Sequence, residues 1–129
     1  MLPKTTNCKE IEGKVVEGYH IGRSLGFPTA NLQLSDNQQI KDGVYIVATQ
    51  IQSQLKYGLM SVGKRPTFGN NERTIEVHII DFQEDIYNQT LKVKILHFLR
   101  NNKKFSSKED LIAQLQKDKQ SLQKFINRV

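Results

Sequence analysis

Apolar and polar residues alternate along most of this chain, with the two-residue period of half-buried strands. Residues 11–17 alternate through Ile11, Gly13 and Val15, and residues 30–34 form a second short run of the same kind. Residues 43–52 and 55–62 are rich in β-branched and aromatic side chains, and Gln52-Ser53-Gln54 separates them. That pattern predicts a hairpin. Residues 73–82 set Ile75, Val77 and Ile79 on one face against Glu76, His78 and Ile80 on the other. Residues 90–99 set Leu91, Val93, Ile95 and His97 against Lys92, Lys94, Leu96 and Phe98. The period then changes. Leu111, Leu115, Leu122, Phe125, Ile126 and Val129 recur at helical spacing, and Ser106 and Glu109 stand at capping-box spacing ahead of them. Asp118 falls on the same apolar stripe. A charge there calls for a partner, because unpaired charges are rarely buried.

The intervening segments read as connections. Residues 1–10 are a polar lead-in, residues 35–42 a turn and polar loop, and residues 63–71 a loop holding Pro66, Gly69 and Asn70-Asn71. Glu84-Asp85 turns the chain before the last strand. Six strands followed by one amphipathic helix predict an antiparallel barrel with the helix packed on it. Strand and helix do not alternate, so a doubly wound parallel sheet is excluded. At 129 residues the chain is expected to be a single domain, residues 1–129, with residues 106–129 as its C-terminal helix.

Composition narrows the function. The net charge of +6 favours anionic ligands without choosing among them. The basic residues are scattered apart from Lys103-Lys104 and the helix, and aromatics are not interleaved with them, so no nucleic-acid partner is expected. A lone cysteine, Cys8, cannot form an internal disulfide, which fits a reducing, cytoplasmic setting. No apolar run reaches membrane-spanning length and no signal-peptide pattern opens the chain, so no membrane partner is expected either.

The stretch from Gly18 to Asn31 carries the chemistry. Gly18, Gly22 and Gly26 surround Arg23, an arrangement suited to wrapping phosphates. Gly18-x-x-x-Gly22-Arg23-Ser24 is one residue short of a P-loop, has arginine for lysine, and is followed by Gly26 and Pro28, which forbid the helix a P-loop needs. Pro28 instead directs the chain into extended geometry, where Thr29 and Asn31 point to one side. Their neutral oxygens can ligate Mg²⁺. From composition alone, a Gly-rich turn leading into a strand is the favoured reading of these residues.

Gly18, Arg23 and Leu25-Gly26-Phe27-Pro28-Thr29-Ala30-Asn31 resemble the signature of the riboflavin kinase (flavokinase) family. Gly63-Lys64-Arg65-Pro66-Thr67-Phe68, Ile75-Glu76-Val77-His78-Ile79, and Leu99-Arg100 through Lys103-Lys104-Phe105 follow in the family's order. The resemblance implies a six-stranded antiparallel Greek-key β-barrel with a C-terminal α-helix. It implies an enzyme that moves the γ-phosphoryl of ATP to the 5′-hydroxyl of riboflavin, with Mg²⁺ accompanying ATP and FMN as product. By the same resemblance Glu76 is the catalytic base, where periodicity alone reads a solvent-facing glutamate. Thr29 and Asn31 are the metal and ATP ligands. Gly18, Arg23, Ile79 and Tyr87 complete the ATP site, and Arg100, Lys103 and Phe105 contact the flavin.

Bacterial members often carry an FMN adenylyltransferase domain in the same chain, so a monofunctional kinase and an excised kinase half are both open. A flavin- or nucleotide-binding barrel without turnover is a further alternative, opposed by the intact Thr29, Asn31 and Glu76. His20 and His78 lack ligand spacing and read as structural or incidental. Where the family usually has glutamate this chain has Asn102. That change removes a possible ion pair with Lys103 or Lys104. With no apolar residue between Leu99 and Phe105, the expectation is a loosely held segment that orders over flavin.

Overall fold

The structure is a computed structural model and describes residues 9–16, 29–35, 40–65, 70–82 and 86–128. Its elements are β1 (Lys9–Val16), β2 (Ala30–Leu34), β3 (Gly43–Ile51), β4 (Gln54–Arg65), β5 (Asn70–Ile79), β6 (Thr90–Arg100) and α1 (Lys108–Ile126). The strands close into a barrel in the order β1-β2-β5-β4-β3-β6, and every neighbouring pair is antiparallel. The connected strands β3, β4 and β5 lie side by side, and β6 returns next to β3, which is the Greek-key arrangement. Closure gives each strand two neighbours, so no described strand is an edge strand.

Alternation sorts the side chains into two apolar layers. Ile11, Val15, Leu32, Val47, Met60, Val62, Val77 and Val93 fill the barrel interior. Val44, Ile46, Leu59 and Ile80 point outward and meet Leu122 of α1. Leu122 is wholly buried, which contributes roughly 1.5–3 kcal/mol. The apolar stripe of α1 therefore covers one sector of the outer wall.

The boundaries depart from the sequence pattern in instructive places. The first strand starts at Lys9, inside the expected lead-in, because β6 offers it partners: Lys9 faces Ile95 and Glu10 faces Lys94. The β3–β4 turn is two residues, Gln52 and Ser53, with φ of 53° and 67° and Ile51 facing Gln54. Positive φ at both central residues matches the strand twist.

The expected loop at 63–71 is partly strand. β4 runs on through Gly63 to Arg65 and β5 begins at Asn70, since ladder hydrogen bonds persist beyond the last apolar residue. Residues 66–69 of that loop lie outside the described residues. β5 ends at Ile79, short of Phe82, where Asp81 turns the backbone with φ of 56°. The helix is capped by Ser107, one residue later than the capping-box spacing indicated. Its hydroxyl accepts from the Asp110 N–H at 3.1 Å, while the Ser106 hydroxyl donates to the Asp110 carboxylate at 3.0 Å.

Candidate active site

Strand register brings residues from five strands onto one row of the outer wall. Asn31 of β2 faces Glu76 of β5, and Glu76 faces Ser61 of β4. Ser61 faces Val44 of β3, and Val44 faces Arg100 of β6. Directly paired residues share a face, and Val44 lies in the outer apolar layer under α1. Asn31 and Arg100 end this row, and Glu76 lies three strand spacings from Arg100, about 14 Å along the wall.

Glu76 is 3% exposed, so its carboxylate is buried although it points away from the barrel core. This overturns the periodicity reading of a solvent-facing glutamate. Thr29 precedes β2, and its hydroxyl donates to Glu76 Oε1 at 2.9 Å, fixing the orientation of the carboxylate. A hydroxyl has one proton and two lone pairs, so this donation leaves the Thr29 oxygen able to hold a cation as well. Asn31, on the same side two residues on, has its Oδ1 buried without a hydrogen-bond partner among the described residues. A buried orphan oxygen costs about 1–3 kcal/mol. A divalent cation with oxygen preference is the kind of partner that would satisfy it. The donor set of Thr29 Oγ1 and Asn31 Oδ1 beside a carboxylate therefore fits Mg²⁺.

The remaining expected ATP residues divide. Gly18 and Arg23 lie outside the described residues. The residues flanking that segment do adjoin the site, because Val16 faces Asn31 across β1 and β2. The Ile79 side chain is buried inside the barrel, so any contact it offers a ligand comes from its backbone at the end of β5. Tyr87 is 59% exposed. Its turn is tied to β1 by hydrogen bonds from Asn88 N–H to Val15 O at 2.9 Å and from Val15 N–H to Gln89 O at 2.8 Å. That places Tyr87 at the end of β1 that also faces Asn31.

Two of the expected flavin residues, Arg100 and Lys103, are held by α1. The Arg100 Nε and Nη2 donate to the two oxygens of Asp118 at 2.9 and 2.8 Å, and Nη1 donates to Asn101 O at 3.0 Å. The guanidinium is thus committed to the helix in a bidentate pair. Asp118, 2% exposed, also accepts from the Gln114 side chain at 3.0 Å, and Gln114 accepts from Lys103 Nζ at 3.1 Å. Phe105 is half-buried just ahead of the helix cap. The Asn102 amide donates to Val62 O of β4 at 2.9 Å. The segment expected to be loose makes polar side-chain contacts to β4 and α1, which an apolar anchor count does not register.

Sequence reasoning passed over Ser61, Gln114 and the donor role of Asn102. Ser61 had a signal, being the one polar residue of Leu59-Met60-Ser61-Val62 and set opposite in phase to Met60 and Val62. The chain carries no comparable mark for Gln114, which is one of several glutamines on an exposed helix.

The fold and site are those of a small closed barrel with a buried, hydrogen-bonded carboxylate beside two side-chain oxygens of a kind that can ligate a cation, on its outer wall. The riboflavin kinase family matches residues 6–126, and the chain belongs to that family. A bifunctional riboflavin kinase/FMN adenylyltransferase of Haemophilus influenzae is 39% identical over 118 residues, covering 91% of this chain and 38% of that protein. An RNA-binding riboflavin kinase of Bacillus subtilis is 40% identical over 84% of this chain and 47% of that protein. This chain thus spans less than half the length of either relative. Among solved structures, one named a macrolide-efflux protein of Streptococcus pneumoniae superposes with a TM-score of 0.79 at 42% identity, over 88% of this chain and 38% of that one. Riboflavin kinase of Trypanosoma brucei superposes with a TM-score of 0.66 over 92% of this chain and 79% of that one; its 22% identity speaks to the fold.

Proposed function

We propose that this chain transfers the γ-phosphoryl group of ATP to the 5′-hydroxyl of riboflavin, giving FMN and ADP. One observation carries the reading: a buried Glu76 on β5, oriented by Thr29, stands opposite Asn31 of β2 with its orphaned carbonyl oxygen. Glu76 accepts the proton of the attacking hydroxyl, a role worth roughly 10²- to 10⁴-fold in rate. Thr29 keeps one carboxylate oxygen fixed so that the carboxylate does not rotate away from the substrate. Thr29 and Asn31 hold Mg²⁺, which supplies charge neutralisation on the phosphates of ATP. Gly18, Arg23, the Ile79 backbone and Tyr87 bind the nucleotide. Arg100, Lys103 and Phe105 form the flavin side, with Arg100 linked to Lys103 through Asp118 and Gln114. Phosphoryl transfer needs mainly positioning and electrostatic stabilisation, and a rigid barrel wall is suited to both. The setting is cytoplasmic, as the use of ATP and a single cysteine suggest.

The test is direct. Purified chain is incubated with riboflavin, ATP and Mg²⁺, and FMN is separated from riboflavin by chromatography with fluorescence detection. FMN formation that depends on both ATP and Mg²⁺ is expected. A chain that binds both substrates without forming FMN would be a binding barrel instead.

A further inference from the structure

The segment between β6 and α1 makes a contact with β4 that depends on an amide. Asn102 Nδ2 donates to the backbone oxygen of Val62 at 2.9 Å. Two glycines open the way. Gly43 begins β3 with φ of +152° and faces Val62; a Cβ there would lie 2.4 Å from the Phe98 ring and 3.0 Å from Arg100 O. Gly63 follows Val62 with φ of +151°, and a Cβ there would lie 2.5 Å from Asn102 Nδ2. The chain leaving β6 thus passes over the bare start of β3 and grips β4, the next strand but one around the barrel.

The chemistry of the grip is one-sided. Val62 O can only accept, so residue 102 must donate. Ionised glutamate or aspartate only accepts and would set oxygen against oxygen. The other polar tethers of this segment, Arg100 to Asp118 and Lys103 to Gln114, run to α1. Asn102 therefore fixes the segment to the barrel wall itself, one residue along β4 from Ser61, the register partner of Glu76.

We propose that Asn102 is a positioning residue: it holds residues 101–105 against β4 before substrate arrives and so presets the flavin side of the site relative to Glu76. This rests on the kinase reading for its flavin half, while the tether itself does not.

The variants are Asn102→Asp, which keeps the shape and removes the donor, and Asn102→Gln, which keeps the donor on a longer stem. Hydrogen exchange of amides 101–105 in the free protein reads the tether. Riboflavin KM, ATP KM and flavin affinity by fluorescence titration read the positioning. For Asn102→Asp we expect exchange at least tenfold faster, with riboflavin KM and flavin Kd raised about tenfold. ATP KM and the urea midpoint should stay close to wild type, and Asn102→Gln should recover part of each loss. Unchanged exchange in Asn102→Asp refutes the tether. Faster exchange with unchanged flavin affinity and riboflavin KM refutes the positioning role. Wild-type protein that neither phosphorylates nor binds flavin overturns the kinase reading and the positioning role together, and the exchange result still decides the tether.

Discussion

Removing the carboxylate of Asp118 should destabilise this protein well beyond the effect of an ordinary surface substitution. The Asp118 side chain is 3% exposed and that of its partner Arg100 is 16% exposed. Asp118→Ala deletes two charge-assisted bonds from Arg100 and one from Gln114. Breaking a buried ion pair from one side costs about 3–5 kcal/mol, because the other charge stays behind unpaired. Arg100 retains its bond to Asn101 O and has some access to water, so the lower end applies, about 3 kcal/mol. For a domain of this size that lowers Tm by roughly 10 °C.

Urea denaturation followed by circular dichroism measures the loss. Asp118→Asn, which keeps an acceptor without the charge, should fall between wild type and Asp118→Ala. Replacing both partners, Arg100→Met with Asp118→Leu, should recover most of the stability, since apolar side chains of similar volume commonly match a buried pair. A loss below about 1 kcal/mol for Asp118→Ala, or one abolished by high salt, would show an ordinary solvated surface pair in place of a buried one.

Glu76→Gln should keep ATP binding and lose roughly 10²- to 10⁴-fold in single-turnover rate, and a loss within tenfold would mean that Glu76 only orients the hydroxyl. Thr29→Val keeps the β-branched shape but removes the hydroxyl that fixes Glu76; the Mg²⁺ concentration needed for half-maximal FMN formation should rise sharply, and an unchanged titration curve would confine Thr29 to a strand role. The Tyr45 phenol donates to Lys41 O, and burial raises its pKa above the usual 10. The folded state therefore keeps this proton longer than the unfolded chain, so its contribution to stability is complete below about pH 10 and is lost as pH rises through the folded value. Tyr45→Phe should flatten the decline of the urea midpoint above pH 10, and an identical decline in both proteins would place the alkaline sensitivity elsewhere.

Much of this protein is decided by local pattern. Alternation in Ile75-Glu76-Val77-His78-Ile79 requires that Glu76 face away from Val77, whatever the strand pairs with, because the side-chain period of a strand is two. Pro28 and the spacing of Thr29 and Asn31 likewise put two oxygens on one side of one strand. The apolar stripe of α1 and the odd place of Asp118 on it are also visible in the chain alone. Pattern does not contain register. That Asn31, Glu76, Ser61, Val44 and Arg100 form one row depends on pairing between strands up to tens of residues apart. A slip of one residue in any pair would send its side chains to the opposite face. The burial of Glu76 follows from that assembly, which is why periodicity by itself placed it in solvent. The grip of Asn102 on Val62 O is tertiary in the same sense. Nothing near residue 102 in the sequence identifies an acceptor 40 residues away, and the bond exists because Gly43 and Gly63 leave room for the chain to cross.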